Sequence, residues 1–91
     1  MGNTKYTKAI ELIKNKLKEI QNEFPDYCFI YGINYLSDMH IIKIDNYAQI
    51  KNNSEYKEME YSLFDMFYEE IEGEDIIFAD TLNKYLSIDI R

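Results

Sequence analysis

A single cysteine, Cys28, rules out two classes of small protein at once. A disulfide framework needs cysteine pairs, and a cysteine-based zinc site needs a set. A lone thiol suits a reducing, cytoplasmic setting. Histidine is also single, His40, so no histidine-rich metal cluster is available. The three glycines, Gly2, Gly32 and Gly73, lie far apart, which excludes a glycine-rich phosphate loop. No run approaches the about 20 apolar residues of a membrane span. The opening residues, Met1 to Lys8, lack the apolar core of a signal peptide. Proline occurs once and no Gly-, Pro- or Ser-rich linker interrupts the chain, so residues 1–91 read as one compact domain. There is one Arg against nine Lys, and Ile, Lys, Asn and Tyr supply 40 of the 91 residues. That usage fits AT-rich codons, hence a gene from an AT-rich microbe, a phage or another mobile element.

What the chain does have is apolar content, tyrosine and negative charge. Apolar residues make up 46%, enough for a core without metal or disulfide support, and nine residues are Tyr. Net charge is −7, unevenly spread. Residues 1–54 hold six acids and seven bases, whereas residues 55–91 hold eleven acids and three bases. A net acidic surface argues against direct binding of nucleic acid or anionic membrane and favours a basic partner.

The acid is concentrated in residues 54–75, SEYKEMEYSLFDMFYEEIEGED, which read as one amphipathic helix. At about 100° per residue, Tyr56, Met59, Leu63, Met66, Phe67 and Ile71 form a buried stripe with Phe64 at its edge. Asn53 or Ser54 is placed to cap the start, and Gly73 to supply a left-handed residue at the end. The opposite side carries Glu58, Ser62, Asp65, Glu69 and Glu72, flanked by Tyr61 and Tyr68. Like charges at these spacings repel, and acids in the last turn oppose the helix dipole. Local rules broken in this way point to function.

Residues 4–24 form a second amphipathic helix, with Tyr6, Ala9, Ile10, Ile13, Leu17, Ile20 and Phe24 on one stripe. Asn3 or Thr4 caps it and Pro25 ends it. Its lysines, among them Lys14 and Lys18, are candidates to neutralise the acidic helix. Residues 27–36 and 39–45 read as strands joined by a tight turn at Ser37-Asp38. In that register Tyr35 opposes His40, Ile33 opposes Ile42 and Tyr31 opposes Ile44. His40 then shares the core face, and Cys28 points the other way, so the two form no catalytic pair. Ile30, Leu36, Met39 and Ile41 fall on the outer face. Residues 46–53 read as a loop, 76–79 as a strand and 85–90 as a further strand, with a helix over 81–86 as the alternative. The expected fold is α+β, in the order α-β-β-α-β-β, with both helices on one face of an antiparallel sheet.

Function follows from charge rather than from a catalytic motif. No catalytic group, metal ligand or cofactor site is expected. The expected activity is that of a non-enzymatic protein-binding module. Glu58, Tyr61, Asp65, Tyr68, Glu69, Glu72, Glu74 and Asp75 would dock on a basic surface of a nucleic-acid-binding protein. Carboxylates on one helix stripe climb about 4.5–6 Å per step, against about 3.4 Å between phosphates along one DNA strand. Small acidic inhibitors of phages and toxin systems are similar in kind. The alternatives are a homodimer through the hairpin's outer face and a small enzyme whose site one sequence does not reveal.

Overall fold

The computed structural model describes residues 6–80, which form a small α+β fold of three helices and a three-stranded mixed sheet. In chain order the elements are α1 (Thr7–Glu23), β1 (Phe29–Asn34), β2 (Met39–Ile44), α2 (Tyr47–Ile50), α3 (Ser54–Glu70) and β3 (Asp75–Asp80). Among the described residues no helix is long and apolar enough to cross a membrane.

Helix α1 ends where Pro25 requires. Phe24 leaves the helical region at φ −127°, ψ 66°, while its N–H still donates to Ile20. The Gln21 side-chain amide then ties the exit by donating to the carbonyls of Phe24 and Tyr27. Ala9, Ile13 and Ile20 of α1 are buried against Tyr56, Leu63 and Phe67 of α3 and against Ile42 and Ile44 of β2. Each large apolar side chain so buried contributes about 1.5–3 kcal/mol.

The sheet order is β1-β2-β3. The first pair is antiparallel, as expected, but β2 and β3 run parallel, so the sheet is not wholly antiparallel. Parallel neighbours need a long crossover, and the segment carrying α2 and α3 supplies it. Periodicity locates strands but does not orient them, so this reversal left no trace in the apolar pattern. The expected strand over 85–90 and its helical alternative over 81–86 lie outside the described residues, as do the caps Asn3 and Thr4.

The hairpin register also differs. Ile33 opposes His40, Tyr31 opposes Ile42 and Phe29 opposes Ile44, so Tyr35 to Asp38 make a four-residue connection. Asp38 closes it at φ +54°, a left-handed conformation that Asp tolerates better than most residues. The shift is by two residues, so side-chain parity survives. Ile33, His40, Ile42 and Ile44 are buried together on the helix side, while Lys43 and Asp45 are only partly covered. Cys28 is exposed and His40 buried, in line with their opposite parity. On the other face, Ile41 is 1% exposed rather than open to a partner. Of the expected outer patch, Ile30 is exposed in β1, and Leu36 is exposed in the connection rather than in a strand.

Helix α3 starts as expected, with the Asn53 side chain accepting from Tyr56 N–H at 3.0 Å. It stops at Glu70, short of the expected end. Ile71 turns extended and buries its side chain, and Gly73, at φ +78°, reverses the path into β3. Gly73 is therefore a turn residue beyond the helix, not its cap. Met66, expected in the buried stripe, is exposed because it sits at the stripe's margin. The expected loop 46–53 holds the single turn of α2, entered through Asn46 at φ +56°.

Ile42 lies at the centre of the core. Ile42→Ala is expected to cost about 2–5 kcal/mol, measured by urea denaturation, with Lys43→Ala nearly neutral in the same assay.

Candidate protein-binding face

The outer side of α3 carries a row of exposed acids. Glu58, Asp65 and Glu69 are exposed along it, and Glu72 is exposed in the connection that follows. Tyr61 and Tyr68 flank the acids at 58% and 52% exposure. Among the described residues no cation pairs with any of these four carboxylates. The α1 lysines do not neutralise the face as the sequence suggested. Among the described residues Lys8 meets only Glu70, at 3.6 Å on the flank, Lys16 pairs within its own helix, and Lys14 and Lys18 line the opposite side of α1. Tyr68 is partly anchored, since its hydroxyl accepts from Ile76 N–H at 3.4 Å. Tyr61 makes no hydrogen bond among the described residues and presents a rigid amphipathic ring, the kind of side chain interfaces favour. Asp75 is exposed at the start of β3, close in sequence to this surface but off the helix.

Glu74 does not belong to the face. It is buried, with Oε1 at 2.5 Å from His40 Nε2. Gly73 makes this possible by turning the chain inward just before it. On the other side of the imidazole, the Tyr31 hydroxyl lies 2.5 Å from Nδ1. With Glu74 ionised, Nε2–H donates to the carboxylate and Nδ1 accepts from Tyr31 O–H, so a neutral imidazole is fully satisfied. The rings of Tyr6 and Phe67 close over His40 edge-on at 5.7 and 5.5 Å. Tyr6 in turn donates its hydroxyl to Asp38. Burial, then the Glu74 charge, then Tyr35 push the Tyr31 hydroxyl well above the ordinary tyrosine range. Tyr31 therefore remains a hydrogen-bond donor and is no nucleophile at neutral pH. The arrangement braces β1, β2 and the α3–β3 connection.

A second polar cluster sits beneath α3. Tyr47 of α2 donates to both oxygens of Glu60 at 3.2 Å. The Tyr56 hydroxyl, fully buried, neighbours the same carboxylate without the distance and angle of a hydrogen bond. Burial raises the Glu60 carboxyl above its ordinary 4.5, and the hydroxyls of Tyr56 and Tyr47 pull less strongly the other way. The sequence signal for this cluster was present. Glu60 lies four residues from both Tyr56 and Phe64, which puts it inside the apolar stripe, between Phe67 and Ile71, rather than among the outward acids.

Among the described residues no three His, Cys, Asp or Glu side chains converge as metal ligands. Comparison with protein-family models, with curated proteins and with solved structures gives no match.

Two outcomes follow from these clusters. Glu74→Ala leaves a buried imidazole N–H unpaired and is expected to cost about 1–3 kcal/mol, while Glu72→Ala, in the same connection, leaves the denaturation midpoint nearly unchanged. For Glu60, the folded state holds its proton more tightly than the unfolded chain. Its contribution to stability is therefore greatest below pH 4.5 and falls as pH rises through the raised folded value. Glu60→Gln is expected to flatten that fall and to leave the protein at least as stable as wild type at neutral pH, measured by denaturation across pH.

Proposed function

We propose that the protein is a non-enzymatic binding module whose outer α3 face docks on a basic surface of a nucleic-acid-binding protein. The observation that carries the reading is that Glu58, Asp65, Glu69 and Glu72 stay exposed and, among the described residues, without cations, with the half-exposed rings of Tyr61 and Tyr68 beside them. An ordinary solvated helix face mixes signs and pairs acids with lysines at neighbouring turns. Here Lys57 is the only base between Glu55 and Asp75. A row of carboxylates flanked by tyrosines suits a surface built for phosphates and stacked rings. Carboxylates supply the charge, and the tyrosines supply apolar contact at low entropic cost. In this reading Glu74 has no part in docking, and Asp75 lies at the rim.

The test is charge reversal with a competitor. Asp65→Lys/Glu69→Lys/Glu72→Lys is expected to fold normally, since all three positions are exposed, none pairs with a cation among the described residues, and Glu69→Lys puts a cation in the last turn of α3, where the helix dipole favours it. Wild-type protein immobilised as bait is expected to retain a partner that double-stranded DNA displaces and that rising salt releases. The triple variant is expected to lose it. Retention by the triple variant, or a partner indifferent to both DNA and salt, would remove this reading.

A further inference from the structure

We infer that the edge of β1 left unpaired among the described residues accepts an extended, acid-bearing peptide as an added strand, seated in the groove beneath α1. Three independent observations converge there. The first is the strand edge itself. Among the described residues β1 pairs only with β2. Just beyond the ladder, Asp45 N–H donates to the Cys28 carbonyl at 3.4 Å, and these two residues stand opposite each other in the same register. Antiparallel pairs alternate between bonded and non-bonded, so Ile30, Gly32 and Asn34 turn their backbone groups toward β2. Phe29, Tyr31 and Ile33 turn theirs outward.

The second observation is that, among the described residues, the strand itself carries nothing that guards this edge. β1 reads Phe-Ile-Tyr-Gly-Ile-Asn, with no charge and no proline, and its six residues extend for about 20 Å. Sheet edges in soluble proteins are normally blunted by charge, proline or a bulge.

The third is the groove. Phe29, Tyr31 and Ile33, the residues with outward backbone groups, also form the floor of a cleft of about 390 Å³. Ile10 and Leu17 of α1 form its other wall. That volume lies within the range of ligand sites, here open along the strand rather than closed around a small molecule. A strand added to β1 would place alternate side chains in the cleft while its backbone meets the outward-directed groups of Phe29, Tyr31 and Ile33. This is strand addition, in which the ladder supplies affinity and the pockets supply specificity.

Charge selects the peptide. Lys14 and Lys18, one turn apart on α1, line the groove, are exposed and have no ion pair among the described residues. In a chain of net charge −7 they form a local cationic site, so a peptide with acids flanking an apolar, alternating centre fits and a basic one does not.

The probe is the capped peptide Glu-Glu-Val-Thr-Ile-Thr-Val-Glu-Glu, titrated into the full chain with amide hydrogen exchange read by NMR. Saturable binding with slowed exchange at Phe29, Tyr31 and Ile33, and unchanged exchange at Ile30 and Gly32, is expected. A version with Lys for Glu, and one N-methylated at alternate backbone positions, are each expected to bind at least about tenfold more weakly. Lys14→Glu/Lys18→Glu, at exposed positions, is expected to fold and to reverse the preference between the Glu and Lys peptides. Equal binding of the N-methylated peptide would show an apolar-ligand groove instead and overturn strand addition. So would a wild-type dimer in sedimentation that the lysine reversals dissociate, since a second copy would then fill the edge. No saturable binding of the Glu peptide up to about 1 mM, a standard free energy near −4 kcal/mol, would also overturn it.

Discussion

The fully buried imidazole of His40 is the constraint on which the rest of the fold depends. A polar ring at 0% exposure is tolerated only when both nitrogens find partners, and here the partners come from separate parts of the chain. Tyr31 brings β1 and Glu74 brings the segment that delivers β3. Losing either partner would leave a buried polar atom unpaired, so the imidazole penalises any arrangement in which the crossover returns elsewhere. Tyr6 adds the start of α1 to the same knot, stacking edge-on against the ring while bonding Asp38. The apolar core supplies most of the driving force, but apolar contacts are not directional. The polar knot distinguishes this strand order from others that would bury similar area.

The knot also explains why α3 ends where it does. Continuing the helix past Glu70 would carry Ile71 and Glu74 along the helical axis, away from the core and the imidazole. The extended Ile71 and the left-handed Gly73 redirect the chain, and the glycine is needed because a side chain at φ +78° would be strained. The acidic surface is thereby shortened and one acid is withdrawn from it. What remains on the face is a set of carboxylates with no ion pair among the described residues, while Glu60 and Glu74, which bond to Tyr47 and His40, are both turned inward.

Much of this was legible in the residues, and the limits were physical. The stripes of α1 and α3 were clear because 3.6-residue periodicity is dense in Ile, Leu and Phe. The parity of the hairpin was clear because alternation is insensitive to an even register shift. The shift itself was hidden, since Ser37-Asp38 lacks the glycine that would mark a two-residue turn and Asp38 adopts the left-handed conformation instead. The parallel run of β3 was hidden because direction depends on the crossover, not on side-chain pattern. On the candidate face, Glu58, Tyr61, Asp65, Tyr68 and Glu69 stand where helical spacing put them, whereas Glu72, expected on the same helical stripe, is exposed in the connection beyond the helix end. Glu74 escaped because, beyond the helix end, the wheel no longer applies. The groove beneath α1 arises from residues far apart in sequence, so no local window contains it.

Charge separation has one more consequence. The carboxylates lie on the outer side of α3, and Lys14 and Lys18, without an ion pair among the described residues, lie on the other long helix, beside the β1 edge. The molecule therefore carries a permanent electric dipole in addition to its net charge. In the field of a larger charged body it would experience a torque as well as a force, and would rotate into alignment before contact. Diffusional search would then be biased in angle as well as in distance, raising the fraction of collisions that arrive the right way round. Such alignment fades once separation exceeds the Debye length, about 8 Å at physiological ionic strength, so the protein would be an oriented particle only in the last nanometre of its approach.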